Sequence, residues 1–167
     1  MIMIRYFENL IRRIVKDQVD QRLQELMNYL ESRDFTTRVA QNLVTTPTIW
    51  GGDWSKVELG KQVNLVNTLL NVSSGRIVIG DFSFFGHNVS LLTGTHFLEK
   101  EKAERQAFPE SGRDILIGDS VWIASNAVIL GPCRIGDRAV IAAGAIVTHD
   151  TIEPDSVYAG CPAKRIR

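Results

Sequence analysis

Hydrophobic residues follow two different spacings along the chain, and the first is helical. Between about Arg5 and Arg33, apolar positions recur with the period of an amphipathic helix, and neither glycine nor proline interrupts them. The apolar stripe consists of Phe7, Leu10, Ile11, Ile14, Val15, Leu23, Leu26, Met27 and Leu30. We therefore predict an amphipathic helical segment over residues 1–40, packed on its own body or on a neighbouring subunit.

The polar side of this segment leaves a second interpretation open. Its first half carries the basic residues Arg5, Arg12, Arg13 and Lys16. A basic amphipathic helix is typical of contact with a membrane surface. Acidic residues weaken this interpretation for the second half, where they are Asp17, Asp20, Glu25 and Glu31.

In the remainder of the chain the spacing changes to six. Aliphatic residues stand at every sixth position, namely Ile117, Ile123, Ile129, Ile135, Ile141 and Val147. Four residues after each comes a small or β-branched residue, namely Val121, Ala127, Cys133, Ala139, Ala145 and Thr151. The same frame occurs upstream at Ile79, Phe85 and Leu91, with a weaker echo at Leu59 and Leu65.

A period of six fits neither a helix nor an ordinary half-buried strand. It fits a coil that closes after three short sides, or about 18 residues, so that residues one coil apart stack about 4.8 Å apart on a parallel ladder. The predicted partners are Ile117 with Ile135, Ile123 with Ile141, and Ile129 with Val147. We predict a mainly β fold in which residues 41–167 form a β-solenoid. Glycines are expected at corners with positive φ, beside Asp81, Asn88, Asp119 and Asp137.

The period of six is interrupted once, after Leu91. The sequence Thr93-Gly94-Thr95-His96 is followed by a polar excursion over residues 97–114, and the frame returns at Ile117. A loop of this length leaving a regular solenoid is typical of a functional element. Since His96 stands where the chain leaves the coil, its imidazole can face a cleft formed by the loop.

An imidazole at this point suits the removal of a proton from an attacking hydroxyl, because its unperturbed pKa of about 6.5 is close to neutral pH. The second ring nitrogen then needs an orienting partner. Glu99, Asp114 or a backbone carbonyl could serve, and the sequence does not decide among them.

The amino-acid composition limits the kinds of ligand and partner that the chain could bind. Lys+Arg and Asp+Glu both count 19, so no global field recruits nucleic acid, and a phosphate-bearing ligand needs a local basic cluster. The two cysteines, Cys133 and Cys161, lack metal-ligand spacing and are expected to be reduced, packed thiols of a cytoplasmic protein. The short apolar start does not predict a secretory signal, and no apolar run reaches the ~20 residues of a spanning helix.

Four blocks carry a family resemblance. They are TGTH at 93–96, IGDSVWIAS at 117–125, IGDRAVIAAGAIVT at 135–148 and AGCPAKRIR at 159–167. With these blocks in this order, the chain from about Leu59 to Arg167 resembles the hexapeptide-repeat acetyltransferases, which fold as a left-handed parallel β-helix. The similarity is to the galactoside/maltose O-acetyltransferase group and to polysaccharide-associated relatives in particular.

The resemblance implies a homotrimer with active sites between subunits, acetyl-CoA as co-substrate, no metal, and His96 as general base. It places the pantetheine arm and the CoA phosphates along Trp122, Ser125, Ala142, Ala143, Thr148, His149, Lys164, Arg165 and Arg167. It places Asn67 near the acceptor hydroxyl. Two residues depart from the family pattern: His149 replaces a lysine, and Ala124 replaces a glycine.

We therefore expect a cytoplasmic, acetyl-CoA-dependent O-acetyltransferase that acts on a sugar or polysaccharide-precursor hydroxyl. Peripheral contact with the inner membrane through its helix is left open. N-acetylation of an amino sugar is one alternative, because an amine acceptor can use the same base. A non-catalytic β-helix assembly subunit is the other. A zinc enzyme of the γ-carbonic anhydrase type is disfavoured, because histidines 87, 96 and 149 include no close pair.

Overall fold

The computed structural model describes residues 2–51, 53–148 and 150–167, and among the side chains of the first 44 residues it describes 15, 16, 18–32 and 35–41. The chain divides into two compact units, 1–44 and 45–167. Each is described by itself below.

The first unit contains two helices rather than one. Helix α1 spans Ile2–Leu30 and helix α2 spans Arg33–Thr45. Between them Ser32 acts as an N-cap, because its Oγ accepts the backbone N–H of Phe35 at 3.1 Å and donates to the carbonyl of Tyr29 at 2.6 Å. The predicted N-terminal helix is therefore present as α1, whereas a separate second helix, α2, was not predicted.

Along α1 the apolar stripe is about half exposed. Its described side chains are Val15, Leu23, Leu26, Met27 and Leu30, and Val19 on the same helix is exposed to the same degree. Within the described part of the chain, no helix is both long enough and apolar enough to cross a membrane.

The second unit consists of short strands. Its elements are β1 Thr48–Trp50, the 3-10 helix Trp54–Lys56, β2 Val57–Leu59, β3 Leu69–Asn71, β4 Ile77–Ile79, β5 Phe84–Phe85, β6 Ser90–Leu92, α3 Lys102–Gln106, β7 Ile115–Ile117, β8 Trp122–Ile123, β9 Val128–Leu130, β10 Cys133–Ile135, β11 Val140–Ile141, β12 Ile146–Val147, β13 Thr151–Ile152, β14 Val157–Ala159 and β15 Lys164–Arg165.

Successive strands join three five-stranded sheets in turn. Sheet A has the order β1-β3-β6-β9-β12, sheet B has β2-β4-β7-β10-β13, and sheet C has β5-β8-β11-β14-β15. All neighbours pair in parallel except β15, which returns antiparallel to β14. The result is a parallel solenoid of about five coils, consistent with the expected left-handed β-helix.

The register is the predicted one. Ile117 pairs with Ile135, Ile123 with Ile141, and Ile129 with Val147. The upstream frame continues across the excursion as Ile79 with Ile117, Phe85 with Ile123, and Leu91 with Ile129. Because these side chains point inward and are at most 4% exposed, the hydrophobic core runs as three columns through the middle of the coils.

At the corner between sheets B and C, glycine is required because the next coil approaches the backbone too closely for a Cβ atom. A Cβ on Gly118 would lie 2.2 Å from Oδ1 of Asp137, which accepts the backbone N–H of Asp119 at 3.0 Å. Asp119 accepts the N–H of Asp81 in the same way at 2.8 Å. The prediction of positive φ at these glycines is therefore wrong. The residues with positive φ at this corner are instead Gln62, Phe82, Ser120, Arg138 and Asp155.

The cysteines differ from each other. Both are free, but only Cys133 is buried, and burial raises the pKa of its thiol to about 12. Cys161 is exposed, so the expectation that both thiols are packed holds only for Cys133.

Candidate active site

The excursion leaves the solenoid at the corner between sheets A and B, and its two ends are tied together. On the exit side, the hydroxyl of Thr93 donates to the Asn71 carbonyl at 2.8 Å and accepts the backbone N–H of Ser74 at 3.1 Å. On the return side, Arg113 donates its backbone N–H to the Ser74 carbonyl at 3.1 Å. Its Nε donates to the Thr93 carbonyl at 2.9 Å. The mouth of the excursion is thereby closed by hydrogen bonds across both ends.

His96 is exposed at the start of the excursion, and its orienting partner is a backbone carbonyl. Its Nδ1 lies 3.0 Å from the carbonyl oxygen of Gln106 and 3.4 Å from that of Ala107. Carbonyl oxygens only accept hydrogen bonds, so we assign the proton of the neutral ring to Nδ1. The lone pair of Nε2 is then free to take a proton. The Phe108 ring stands edge-on to the imidazole at a centroid distance of 6.3 Å.

The short helix α3 supplies this carbonyl. Gln106 is its last residue, and the carbonyls of a final helical turn have no partner within the helix. The sequence did not reveal α3, and no motif marked Gln106. Asp114, one of the two carboxylates considered as a partner of His96, instead pairs with Arg76. It accepts the backbone N–H of Arg76 at 3.0 Å and the Nε–H of Arg76 at 3.2 Å.

The small residues predicted to contact the pantetheine arm lie at a different corner, between sheets C and A. The Ser125 carbonyl accepts the N–H of Gly144 at 2.9 Å, and the N–H of Ala142 donates to Tyr158 at 2.8 Å. Ala143 is exposed, while Ser125 and Ala142 are half-buried. Small side chains at an exposed corner let an extended ligand approach the backbone closely.

Trp122 lies on the outer face of sheet C. Its indole stacks on the ring of Phe84 in the neighbouring coil, with centroids 5.9 Å apart and an interplanar angle of 14°. Both rings are about half exposed. They form a flat apolar surface that a ligand running along this sheet would contact. The sequence did not single out Phe84, although its place one coil before Trp122 in the frame was available as a signal.

The basic tail is only partly free to bind phosphate. Arg165 forms an ion pair with Glu153, and its Nε donates to the carbonyl of Arg167 at 3.0 Å. Lys164 and Thr148 are exposed. The predicted contact at His149 lies outside the described residues.

Asn67 belongs to an amide ladder at the corner between sheets C and A. Its amide donates to the side chain of Asn88 at 2.6 Å, and its side-chain oxygen accepts the Asn88 backbone N–H at 2.8 Å. Asn88 continues the ladder to Asn126 at 3.4 Å. Asn88 and Asn126 both have positive φ, a conformation that asparagine adopts more readily than most residues. The ladder gives Asn67 a structural role, and its contact with an acceptor stays a prediction.

The predicted site residues thus fall on two corners of one coil stack. His96 and the excursion stand at the corner between sheets A and B, whereas Ser125, Ala142 and Ala143 stand at the corner between sheets C and A. Among the described residues, no cluster of three or more histidine, cysteine or acidic side chains could hold a metal ion.

Comparison with known proteins relates this arrangement to a family. Residues 114–149 match the family model described as bacterial transferase hexapeptide (six repeats). The galactoside O-acetyltransferase of Escherichia coli K12 is 34% identical over 138 residues, which cover 81% of this chain and 65% of that protein. A putative acetyltransferase of Schizosaccharomyces pombe, C18B11.09c, is 41% identical over 113 residues, covering 66% and 52%.

Among solved structures, a galactoside acetyltransferase in complex with coenzyme A superposes with a TM-score of 0.60 at 26% identity. The match covers 89% of this chain and 80% of that one. The match spans between about half and two thirds of the length of these two curated relatives and of the galactoside O-acetyltransferase of Lactococcus lactis.

Proposed function

We propose that this chain is an acetyltransferase of the hexapeptide-repeat class, which moves the acetyl group of acetyl-CoA to a hydroxyl of a sugar or polysaccharide precursor, with His96 as general base. The observation that carries the proposal is the His96 imidazole, whose Nδ1 is 3.0 Å from the Gln106 carbonyl and whose Nε2 has no hydrogen-bond partner among the described residues. The similarity to galactoside O-acetyltransferases supports the reaction class and the sugar acceptor.

The proposed reaction follows from this geometry. Nε2 takes the proton of the acceptor hydroxyl while the oxygen attacks the thioester carbonyl carbon. The tetrahedral intermediate collapses, the C–S bond breaks, and the imidazolium returns the proton to the CoA sulfur. Both the neutral ring protonated on Nδ1 and the imidazolium can donate a hydrogen bond to the Gln106 carbonyl. The ring therefore keeps its orientation before and after it takes the proton. General base catalysis of this kind contributes about 10²–10⁴ in rate.

Acetyl-CoA is proposed to lie along the small-residue corner. Ser125, Ala142 and Ala143 would meet the pantetheine amides, and the stacked Trp122 would flank them. The phosphates would lie near the remaining predicted residues, namely Thr148, His149, Lys164, Arg165 and Arg167. Because Arg165 already pairs with Glu153, Lys164 offers the freer positive charge.

We also propose that the active enzyme is a homotrimer. The outer face of sheet A carries aliphatic side chains where a solvated sheet face would carry polar ones. These half-buried residues are Leu69, Leu92, Val128, Leu130 and Ile146. Strands that are apolar on both faces are typical of sheets covered on both sides, and a second copy of the chain is the cover we infer. An assembly would also allow the corner carrying His96 in one subunit to meet the small-residue corner of the next.

A charge on this face should therefore disrupt the assembly. We expect Leu130→Asp to lower the oligomeric mass measured by light scattering and to abolish CoA release together with it, because a buried unpaired carboxylate is strongly unfavourable. Leu98→Asp is the matched control, since Leu98 is 73% exposed in the excursion and should keep the wild-type mass. A Leu130→Asp variant of unchanged mass would argue against sheet A as the interface.

For the first unit, we propose packing of α1 against other copies of the chain, with contact to the inner membrane surface as the alternative. Over residues 15–31 the sequence has two basic residues, Lys16 and Arg22, and four acidic ones, which disfavours binding to anionic lipid. The acidic residues are Asp17, Asp20, Glu25 and Glu31.

Liposome co-sedimentation separates these two roles of α1. We expect the full-length chain and a truncation starting at Ser32 to pellet equally with anionic vesicles. Stronger pelleting of the full-length chain would establish the membrane role instead.

A further inference from the structure

Arg113 is a half-buried cation at the mouth of the excursion. Its backbone is held within the coil stack, since a Cβ on Gly131 of the next coil would lie 2.2 Å from the Arg113 carbonyl oxygen. Its side chain turns back across the excursion, and Nε donates to the Thr93 carbonyl at 2.9 Å. The guanidinium is therefore fixed beside the point where the chain departs toward His96.

Most of the hydrogen-bonding capacity of this guanidinium is unused. A guanidinium has five N–H donors, and within the described residues Arg113 donates from Nε alone. No described carboxylate lies within ion-pair distance of it. Arg76, Arg138 and Arg165, all more exposed, each have an acidic partner. A partly buried guanidinium with open donors is suited to bind an anion bidentately.

The position of Arg113 relates this anion site to the acceptor. His96 follows Thr93 by three residues, so their Cα atoms are at most about 11 Å apart. An anion held by Arg113 would thus lie about one or two sugar rings from His96. The CoA phosphates are much farther from the reacting thioester, because the whole pantetheine arm separates them from it. We infer that the acceptor is an acidic saccharide, and that Arg113 binds its carboxylate or phosphate while His96 deprotonates a hydroxyl. The inference rests on the proposed acetyl transfer.

Two substitutions separate the charge of Arg113 from its hydrogen bond to Thr93. In Arg113→Gln the side-chain nitrogen stands at the same position in the chain of atoms as Nε, so it can still donate to the Thr93 carbonyl without the positive charge. Arg113→Lys keeps the charge and loses the planar fork. Arg105→Gln is the control, because Arg105 is an exposed arginine of the same excursion.

The probes are three galactosides that keep the same ring hydroxyls: methyl β-galactopyranoside, carboxymethyl β-galactopyranoside and galactose 1-phosphate. We expect the wild type to prefer an anionic probe over the neutral one by about 10- to 100-fold in kcat/KM, mostly through KM. The two anionic probes distinguish carboxylate from phosphate. Arg113→Gln should reduce this ratio about tenfold or more, Arg113→Lys should restore part of it, and Arg105→Gln should leave it unchanged.

Binding of the same probes by calorimetry separates failure of this inference from failure of the proposed function. Acetyl transfer with equal kcat/KM for all three probes would overturn the acidic acceptor and leave the acetyltransferase intact. Binding of an anionic probe that depends on Arg113 without transfer would support the anion site and contradict the enzyme. If Arg113→Gln does not fold, the anion preference of the wild type must fall with rising salt, and a salt-independent preference would overturn the inference.

Discussion

Replacement of His96 by alanine is expected to lower kcat for acetyl transfer by about 10²- to 10⁴-fold while leaving acetyl-CoA binding unchanged. The imidazole is exposed on the excursion and packs only edge-on to Phe108, so its removal leaves no cavity in the core. Steady-state CoA release measures kcat, and calorimetry measures acetyl-CoA binding. A loss of both would indicate a folding or assembly defect rather than a lost base.

The excursion offers a matched control for this variant. Glu99 is exposed, stands three residues from His96, and makes no hydrogen bond with the ring, whose Nδ1 faces the Gln106 carbonyl. We expect Glu99→Gln to keep kcat within about twofold of the wild type. A large loss in Glu99→Gln would mean that the carboxylate takes part in orienting the ring, contrary to the backbone assignment.

The second large effect is on stability. Ile135 is 1% exposed and stacks between Ile117 and Ile152 in the column of sheet B. We expect Ile135→Ala to lower the free energy of unfolding by about 2–5 kcal/mol, because the removed atoms lose their burial and the stack cannot close over the gap. Urea denaturation at fixed protein concentration measures the change.

The neighbouring residue on the same strand provides the comparison. Arg134 is exposed and points away from the core, so Arg134→Ala should change the unfolding free energy by no more than about 0.5 kcal/mol. Equal destabilisation by the two variants would contradict the inward and outward alternation that the register requires.

The register could be predicted because the solenoid repeats one small unit. Each coil must place an aliphatic residue inward at the same point, so the pairing of Ile123 with Ile141 follows from their spacing alone. The similarity to hexapeptide-repeat acetyltransferases predicted from the sequence is likewise found, in the family model that matches residues 114–149 and in the galactoside O-acetyltransferase of Escherichia coli K12. The local sequence spacing predicts the structure here because each coil contacts mainly its neighbouring coils.

Other features of the structure could not be predicted from the sequence, mainly because they depend on contacts between distant parts of the chain. Gly118 was interpreted through its own backbone freedom, whereas its cause is the Asp137 carboxylate of the next coil. Gln106 reaches His96 only because α3 folds back, and no local pattern encodes that return. The division of the predicted helical segment 1–40 into α1 and α2 was missed, although Ser32 is a recognisable N-cap.

The site itself could be predicted only in part. The break in the period located His96 without reference to any relative, and the structure supplies its partner. The roles of Ser125, Ala142 and Ala143 stay predictions, because they concern a ligand and a second subunit. Arg113 was not singled out in the sequence, because an arginine at the end of a polar loop is ordinary. It becomes unusual only when the structure shows that no described carboxylate pairs with it.

The most direct test of acetyl transfer to oxygen with His96 as the base is to identify the bond that carries the transferred acetyl group. Wild-type protein and His96→Ala are incubated with radiolabelled acetyl-CoA and either the galactoside probes or glucosamine, and each product is treated with mild alkali. The account predicts His96-dependent labelling that alkali removes, as from an ester. Label that resists alkali, as in an amide, or labelling equally strong in the variant would contradict it.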